Sequence, residues 1–352
     1  MLGLPLVPWP LELALAIALA VHWSFIGMAI TGSAVLAVNL LHGREQNLRL
    51  NRHLVSFVIF GLSFGITFGI LPLLMVQVLH GNFFYSANIV IAYWWLAVIP
   101  LLITGFYLLY YTRLRLHSER PPAFFLPLLA LMVFATIASI LVSETTVSQF
   151  PEVWKEFHWK WRGLLPYWGA FFIPRWIFAF GGLLAMGGIM VSVLSKITMR
   201  SERQLQELAI SQALRITTGA LFLQVAGAVW LVLALPAEQQ SVLLGKWPNV
   251  LAFYSAAASF LIAAILVQVA RRRMTAAAVI APAVIYYAGL FAAAMARDKG
   301  REVAMSRFFD LSTVAAHPQW AAFIVFLGTI AIGVGMVAYM VHLAVAYRGR
   351  EE

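Results

Sequence analysis

Nine long apolar runs constrain this chain more than any other feature of its sequence. Each run exceeds the roughly 20 residues that an α-helix needs to cross a bilayer. The runs cover residues 11–41, 53–80, 86–112, 122–146, 171–197, 208–236, 248–270, 274–296 and 319–347. Because a backbone in lipid must satisfy its own hydrogen bonds, such runs cross as helices. The sequence therefore predicts an all-α polytopic membrane helix bundle with about nine transmembrane helices.

The composition supports this class and limits the chemistry. Charged residues make up 11% of the 352 residues, whereas soluble domains carry about 25%. The absence of cysteine excludes disulfides, thiolate zinc sites, cysteine-ligated iron–sulfur clusters and c-type heme attachment. A cofactor would have to be held by His, Met or carboxylate groups or by packing. We attribute the net charge of +10 to cytoplasmic loops and predict no nucleic-acid partner.

Basic residues fall in alternate loops, which predicts the orientation of the chain. They are Arg44, Arg49, Arg52, Arg113, Arg115, Arg120, Lys196, Arg200, Arg203, Arg271, Arg272, Arg273, Arg348 and Arg350. Positive residues concentrate on the cytoplasmic side, so we expect the N-terminus outside and the C-terminus in the cytoplasm. The start of the chain lacks a basic region and a cleavage site, so we expect no signal peptide. The expected location is a bacterial inner membrane.

Two loops on the other face are long and rich in aromatic or charged residues. The segment 148–176, rich in tryptophan, predicts an amphipathic helix lying in the outer interface. The second segment covers 296–320. These loops either anchor the chain at the interface or dock an extracytoplasmic partner. We divide the single membrane domain 1–352 into 1–146, the outer segment 147–170, 171–296, the outer loop 297–318, and a last helix and tail 319–352.

One histidine, His22, lies within the first apolar run, in the stretch "LAVHWSFIGMAITGS". Ionisable residues inside a membrane are costly and are functional candidates. Small residues follow it at Gly27, Ala29, Gly32 and Ser33, and they allow a flat macrocycle or a neighbouring helix to approach. His22 is either a heme iron ligand, a hydrogen-bonding group to another helix, or a quinone or proton-relay residue.

Further candidates come from the outer ends of the predicted helices. Met75 and His80 could complete the coordination of a heme held by His22, although Met is also a common gap filler. Arg175 begins the fifth predicted helix, and Arg297, Arg301 and Arg307 follow the eighth. Guanidinium groups suit heme propionates or a quinone carbonyl, and they equally suit nearby acids or lipid phosphate.

Acidic residues are scarce inside the predicted helices, where Glu12 and Glu144 lie near outer ends. Proton pumps and oxygen-reducing sites need buried acids to carry protons. This scarcity argues against both functions. Pro72, Pro100 and Pro282 interrupt predicted spans as in transporters, but no charged cluster lies beside them in the sequence.

The first quarter of the chain resembles subunit I of the cytochrome bd quinol oxidases. The similarity rests on "AVHWSFIGMAITGS", on the glycine-punctuated segment "FGLSFGITFGILPLLMVQVLHGNFF" (60–84), on "FAFGGLLAMGGIM" (178–190) and on nine helices. It implies two four-helix bundles plus one helix, with His22 as the axial ligand of a heme.

The chain also departs from that family. Trp94 and Trp95 stand where the family carries glutamates, and Arg175 or Trp176 stands near the position of its low-spin heme histidine. The long quinol-binding loop is reduced to 236–249. The resemblance therefore implies a divergent relative that does not itself reduce oxygen.

Its implied function is electron transfer in a respiratory complex, between membrane quinone and an extracytoplasmic partner, through heme b. A periplasmic c-type cytochrome or an iron–sulfur protein would be that partner. The alternatives are a cofactor-free structural subunit and a transporter.

Overall fold

The chain is predominantly helical in the residues that the structure, a computed structural model, describes: 4–5, 7–118, 123–155, 169, 171–247, 249–317 and 319–348. In these residues one isolated bridge, between Leu4 and Ala316, has β geometry. Two compact units are present. One comprises Glu12–Asp310, and the other comprises Met1–Leu11 with Leu311–Glu352.

Within the described ranges there are ten α-helices. They are α1 (Pro8–His42), α2 (Glu45–Val90), α3 (Ala92–Leu116), α4 (Phe125–Gln149), α5 (Phe172–Thr198), α6 (Arg203–Ala234), α7 (Ala237–Gly245), α8 (Asn249–Arg273), α9 (Ala276–Met305) and α10 (Trp320–Arg348). Eight of them, α1–α6, α8 and α9, are long and apolar enough in this described part to cross a membrane. The all-α membrane fold is confirmed. The ninth predicted run coincides with α10, and the short α7 was not predicted.

Helix α2 differs most from its predicted boundaries. The sequence predicts an end at His80 and a new helix from residue 86. Instead, α2 continues to Val90 with a kink at His80, where φ is −135° and ψ is 31°. No proline follows within α2 to stop the helix, so a single non-helical residue bends it without ending it. At about 1.5 Å per residue, its 46 residues far exceed the thickness of a bilayer core.

Two buried apolar cores hold the unit Glu12–Asp310 together. In the first, Leu36 of α1, Leu54 of α2 and Phe134 of α4 lie among other aliphatic residues. In the second, Met186 of α5 and Tyr286 of α9 lie with residues of α6 and α8. Lipid tails are as apolar as these side chains, so close van der Waals packing between the helices, and not the burial of apolar surface, holds the helices together.

Helices α1 and α5 touch backbone to backbone. A methyl group added to Gly187 would overlap the carbonyl oxygen of Gly27, and one added to Gly27 would lie 2.5 Å from the carbonyl oxygen of Leu183. Glycine at both positions is therefore a requirement of this contact.

The basic loops meet at one end of the unit Glu12–Asp310. Here Arg52 Nε donates to the carbonyl oxygen of Leu116 at 2.9 Å, and His53 Nε2 lies 3.3 Å from Glu202 Oε1. We call this the basic end, formed by residues 42–53, 113–118, 196–215 and 268–274, and we call the other the opposite end.

Some predictions fall on residues that the structure does not describe. Arg120, Arg350 and residues 156–168, which form much of the predicted amphipathic segment, are among them. Within that segment, Pro151–Lys155 forms a short 3-10 helix.

Candidate functional site

The imidazole of His22 packs against α2. Its Nδ1 lies 2.7 Å from the carbonyl oxygen of Gly65. A methyl group on Gly69 would come within 2.8 Å of Cε1 and 2.9 Å of Nδ1 of this imidazole. One turn away, Ile26 fills the equivalent space over Gly65. The imidazole thus occupies a place that exists because residue 69 has no side chain.

This contact sets the chemistry of the two ring nitrogens of His22. The carbonyl of Gly65 can only accept a hydrogen bond, so Nδ1 carries the hydrogen of a neutral imidazole. The lone pair of a neutral ring is then on Nε2, to which no described residue hydrogen-bonds. Metal-binding histidines commonly donate their other N–H to a backbone carbonyl in this way. Nε2 of His22 would therefore be the nitrogen that could bind a metal ion.

An aromatic cluster, Phe25, Phe60, Phe64 and Phe68, lies one turn from His22. The ring centroids of Phe25 and Phe68 are 5.4 Å apart with nearly parallel planes, and those of Phe60 and Phe64 are 4.3 Å apart. These rings make the surroundings of the imidazole apolar. An apolar surround is typical of cofactor pockets, and it also strengthens any electrostatic contact within them.

The small residues after His22 serve helix packing. Gly27 lies on α5, as described above, and a methyl group on Gly32 would overlap Val58 of α2. In α5, Gly188 lies against Thr217 of α6 in the same way. The glycines that could have bordered a macrocycle are therefore occupied by neighbouring helices, and a cofactor at His22 would approach from another side.

Six ionisable residues form a cluster at the opposite end, contributed by α2, α4, α5 and α9. This arginine cluster comprises His80, Glu144, Arg175, Arg297, Asp298 and Arg301. All but Arg175 and Arg297 are buried, with Arg301 only 3% exposed. Each of the three guanidinium groups acts electrostatically on the others or on Glu144.

Two of the three arginines have partners. Arg175 donates from Nη1 to Thr146 Oγ1 at 3.0 Å and from Nη2 to Gln149 Oε1 at 2.7 Å. Arg297 Nη2 forms a salt bridge with Asp298 Oδ1 at 2.8 Å. Arg175 is thus held by neutral acceptors, and its charge is not cancelled by direct contact with an acid among the described residues.

Several buried polar atoms of the cluster lack a hydrogen-bond partner among the described residues. They are His80 Nδ1, Glu144 Oε1, Asp298 Oδ2 and both Nε and Nη1 of Arg301. An unsatisfied buried polar atom costs roughly 1–3 kcal/mol, and more when it is charged. Donors and acceptors are left over together, so the cluster can bind a group that both accepts and donates hydrogen bonds.

The structure separates some of the predicted ligands. Counting along α2 at about 1.5 Å per residue, Met75 lies about 9 Å beyond Gly69, and His80 lies about 16 Å beyond it. Met75 is half-buried. His80 is brought to Arg301 and Arg297, rather than to the imidazole of His22.

The remaining arginine of the predicted set, Arg307, lies apart from the cluster. Arg307 is exposed and pairs with Glu238 at 3.1 Å. The sequence identified Arg175, Arg301 and Glu144 as separate candidates, and it did not group them with His80 and Asp298. Their position near the ends of predicted helices on the same side of the membrane was the one feature of the sequence that could have indicated the cluster.

The helical arrangement is similar to that of a solved bd oxidase. A chain of the bd oxidase from Geobacillus thermodenitrificans matches with a TM-score of 0.69 and 12% sequence identity, and the match covers 99% of each chain. No family model matches the sequence, and no curated protein matches it either. The likeness extends over the whole chain at very low identity, so it concerns the fold. The resemblance predicted from the first, second and fifth helices is confirmed at this level: the chain is a multi-pass helical membrane protein with a fold similar to that of a bd oxidase.

Proposed function

We propose that this chain is the membrane subunit of a respiratory electron-transfer complex. It passes electrons between membrane quinone or quinol and a redox partner on the outer side, through a heme b bound by His22. The observation that carries the proposal is the imidazole of His22, with Nδ1 bonded to the Gly65 carbonyl and Nε2 left without a described partner. The bd oxidase fold supports a respiratory context.

The residues around His22 fit a histidine that would hold a heme iron through Nε2. Gly69 makes room for the ring, and the carbonyl of Gly65 fixes its orientation. The apolar phenylalanine cluster excludes water from this side. When bound, heme b supplies reversible one-electron transfer. The protein's part is to hold the ligand nitrogen at a constant position.

The arginine cluster fits the binding of a polar group, such as a quinone head group or a heme propionate. Its three guanidinium groups exceed its two carboxylates by one positive charge, which favours an anionic or carbonyl-bearing group. Arg301 Nε and Nη1 can donate to a quinone carbonyl or a heme propionate. Glu144 Oε1 and His80 Nδ1 can accept a hydrogen bond from a quinol hydroxyl. We therefore assign His80 and Arg175 to this polar site.

The proposed setting is a bacterial inner membrane with the basic end in the cytoplasm. The opposite end then faces the periplasm, where a c-type cytochrome or an iron–sulfur protein would dock on the outer loops. The chain would form part of a quinol-oxidising or quinone-reducing complex, with other subunits, and would not itself reduce oxygen.

A reduced-minus-oxidised absorption spectrum of the purified chain tests the heme. We expect a b-type signal, confirmed by pyridine hemochrome, that His22→Leu abolishes while the protein still inserts. His42→Leu is the matched control, because His42 Nδ1 also contacts a backbone carbonyl, that of Val38, but at the exposed basic end. An unchanged heme spectrum in His22→Leu would show that His22 is not the heme ligand.

Binding of a short-chain quinone tests the arginine cluster. We expect Arg175→Gln to weaken binding about tenfold, since a charge-assisted hydrogen bond contributes on the order of 1.5–3 kcal/mol. Arg307→Gln is the control, because Arg307 lies outside the cluster and is 71% exposed. Equal affinities for the two variants would exclude the cluster as the quinone site.

A second candidate function is a cofactor-free structural subunit. The observation that favours it is the use of glycines in α1 and α5 for helix contacts, together with the lack of histidine in Phe172–Thr198. If the chain is purified from cells that make heme and its spectrum shows no Soret band, this alternative is established.

A further inference from the structure

A cavity of about 380 Å³ lies between α6 and α8 at the basic end. Its lining is Ser211, Arg215, Gln268, Arg271 and Arg272. Three of these five side chains are guanidinium groups, and none is a carboxylate. A cavity of this composition attracts an anion.

Neutral partners orient two of the arginines. Arg215 Nη2 donates to Ser211 Oγ at 3.1 Å, and Arg271 Nη1 donates to Gln268 Oε1 at 3.0 Å. Among the residues that the structure describes, no acid forms a salt bridge with an arginine of this cavity. The guanidinium groups are therefore positioned while their charges stay uncompensated.

The depth of these arginines matches lipid headgroups. Arg215 precedes the end of α6 at Ala234 by 19 residues, and Arg271 follows the start of α8 at Asn249 by 22 residues. At about 1.5 Å per residue, these lengths are about 28 and 33 Å, close to the roughly 30 Å of a hydrocarbon core. Two independent helices thus place their arginines at the same bilayer boundary.

A second cavity, of about 310 Å³, adjoins the first at Arg215. It lies between α1, the start of α2 and α6, and its apolar wall is Val35, Val38, Leu208 and Ile216. His42 and Arg44 also line it. Leu208 precedes Arg215 in α6 and Arg44 follows the end of α1, so this cavity extends from Arg215 toward the basic end, and Arg44 adds positive charge beside the first cavity.

We propose that Arg215, Arg271 and Arg272 bind the phosphate of an anionic phospholipid from the leaflet at the basic end. Arginine pairs with phosphate through two parallel hydrogen bonds, which gives this site more selectivity than a diffuse basic surface has. This inference is independent of the proposed electron-transfer role.

Lipid titration of the whole chain in neutral detergent tests the site. We expect phosphatidylglycerol to raise the melting temperature and phosphatidylcholine to leave it nearly unchanged, because a ligand that binds the folded state stabilises it. In Arg215→Gln/Arg271→Gln the apparent affinity for phosphatidylglycerol should fall at least about tenfold. Arg273→Gln, which changes an exposed neighbour outside the cavity lining, should retain it within about twofold.

Three outcomes would overturn the proposal. One is an equal loss of affinity in Arg273→Gln, which would indicate diffuse surface charge. Another is full displacement of the lipid by millimolar inorganic phosphate, which would reassign the site to a soluble anion. The third is equal stabilisation by both lipids. Arg215→Lys serves as a second, milder variant, because it keeps the charge but loses the paired hydrogen bonds, and it should bind with intermediate affinity.

Discussion

The two ends of the unit Glu12–Asp310 both carry arginines, but in opposite environments. At the opposite end, Arg301 is 3% exposed and lies with Glu144 and Asp298 in the arginine cluster. At the basic end, Arg272 and Arg273 are exposed and have no salt bridge among the described residues. A buried guanidinium needs fixed companions, whereas an exposed one can exchange water for whatever anion is present.

This difference separates two kinds of positive charge in one membrane protein. The exposed arginines are sufficiently explained by orientation in the membrane and by contact with lipid headgroups. The same explanation does not apply to the buried arginines. Removing a guanidinium group from water costs free energy unless groups paired with it compensate. The leftover hydrogen-bonding atoms of the arginine cluster belong to several ionisable side chains that lie together, and this makes the opposite end the candidate site for polar chemistry.

The largest expected effect comes from removing the guanidinium that pairs with a buried carboxylate. Arg297→Met leaves Asp298, which is 4% exposed, without its salt-bridge partner, and we expect a loss of about 3–5 kcal/mol in stability. The matched change at the basic end, Arg273→Met, should stay within about 0.5 kcal/mol. Thermal unfolding of both variants in the same detergent measures the difference, and similar losses would erase the contrast between the ends.

Double-mutant cycles give the next largest difference. The pair Arg297–Asp298 has an almost buried carboxylate, 4% exposed, whereas Glu45 and Arg49 are 80% and 67% exposed. We expect a coupling energy of about 1–3 kcal/mol for the first pair and about 0.3–0.5 kcal/mol for the second. Equal couplings would mean that solvent screens the buried pair as fully as the exposed one.

The smallest expected effect is the salt dependence of an exposed ion pair, compared with that of the buried one. Arg203 and Glu207 form an exposed pair at 2.9 Å near the basic end. Glu207→Gln should cost at most about 0.5 kcal/mol at low salt and almost nothing at 1 M salt, because the Debye length falls to about 3 Å. The penalty of Asp298→Asn should persist at 1 M salt. Melting curves at both salt concentrations measure this, and a penalty that disappears would contradict the buried assignment.

The sequence was sufficient for the helices because their signal is local. Each apolar run is long enough to cross a membrane by itself, and packing against neighbours does not change that. The boundary near His80 was harder, since the polar stretch after it bends α2 rather than ending it. Hydropathy falls equally at a kink and at a loop.

The candidate site was only partly predictable for a different reason. His22 is conspicuous because it is a lone imidazole in an apolar run, but its partner Gly65 is 43 residues away on another helix. The arginine cluster draws on four helices, and no sequence spacing joins Glu144 to Arg301. Such groupings depend on how helices pack, which periodicity within one helix does not encode.

The glycine contact between α1 and α5 has a consequence for the whole helix that carries His22. In a uniform hydrocarbon environment, an apolar helix can slide or rotate at little cost, since one depth is nearly as good as another. The backbone contact of Gly27 with Gly187 prevents this sliding, because any shift of α1 along α5 would break the close contact. The height of the imidazole in the membrane is then dictated by α5, so the position of His22 relative to α5 stays constant while the lipids around the helices change.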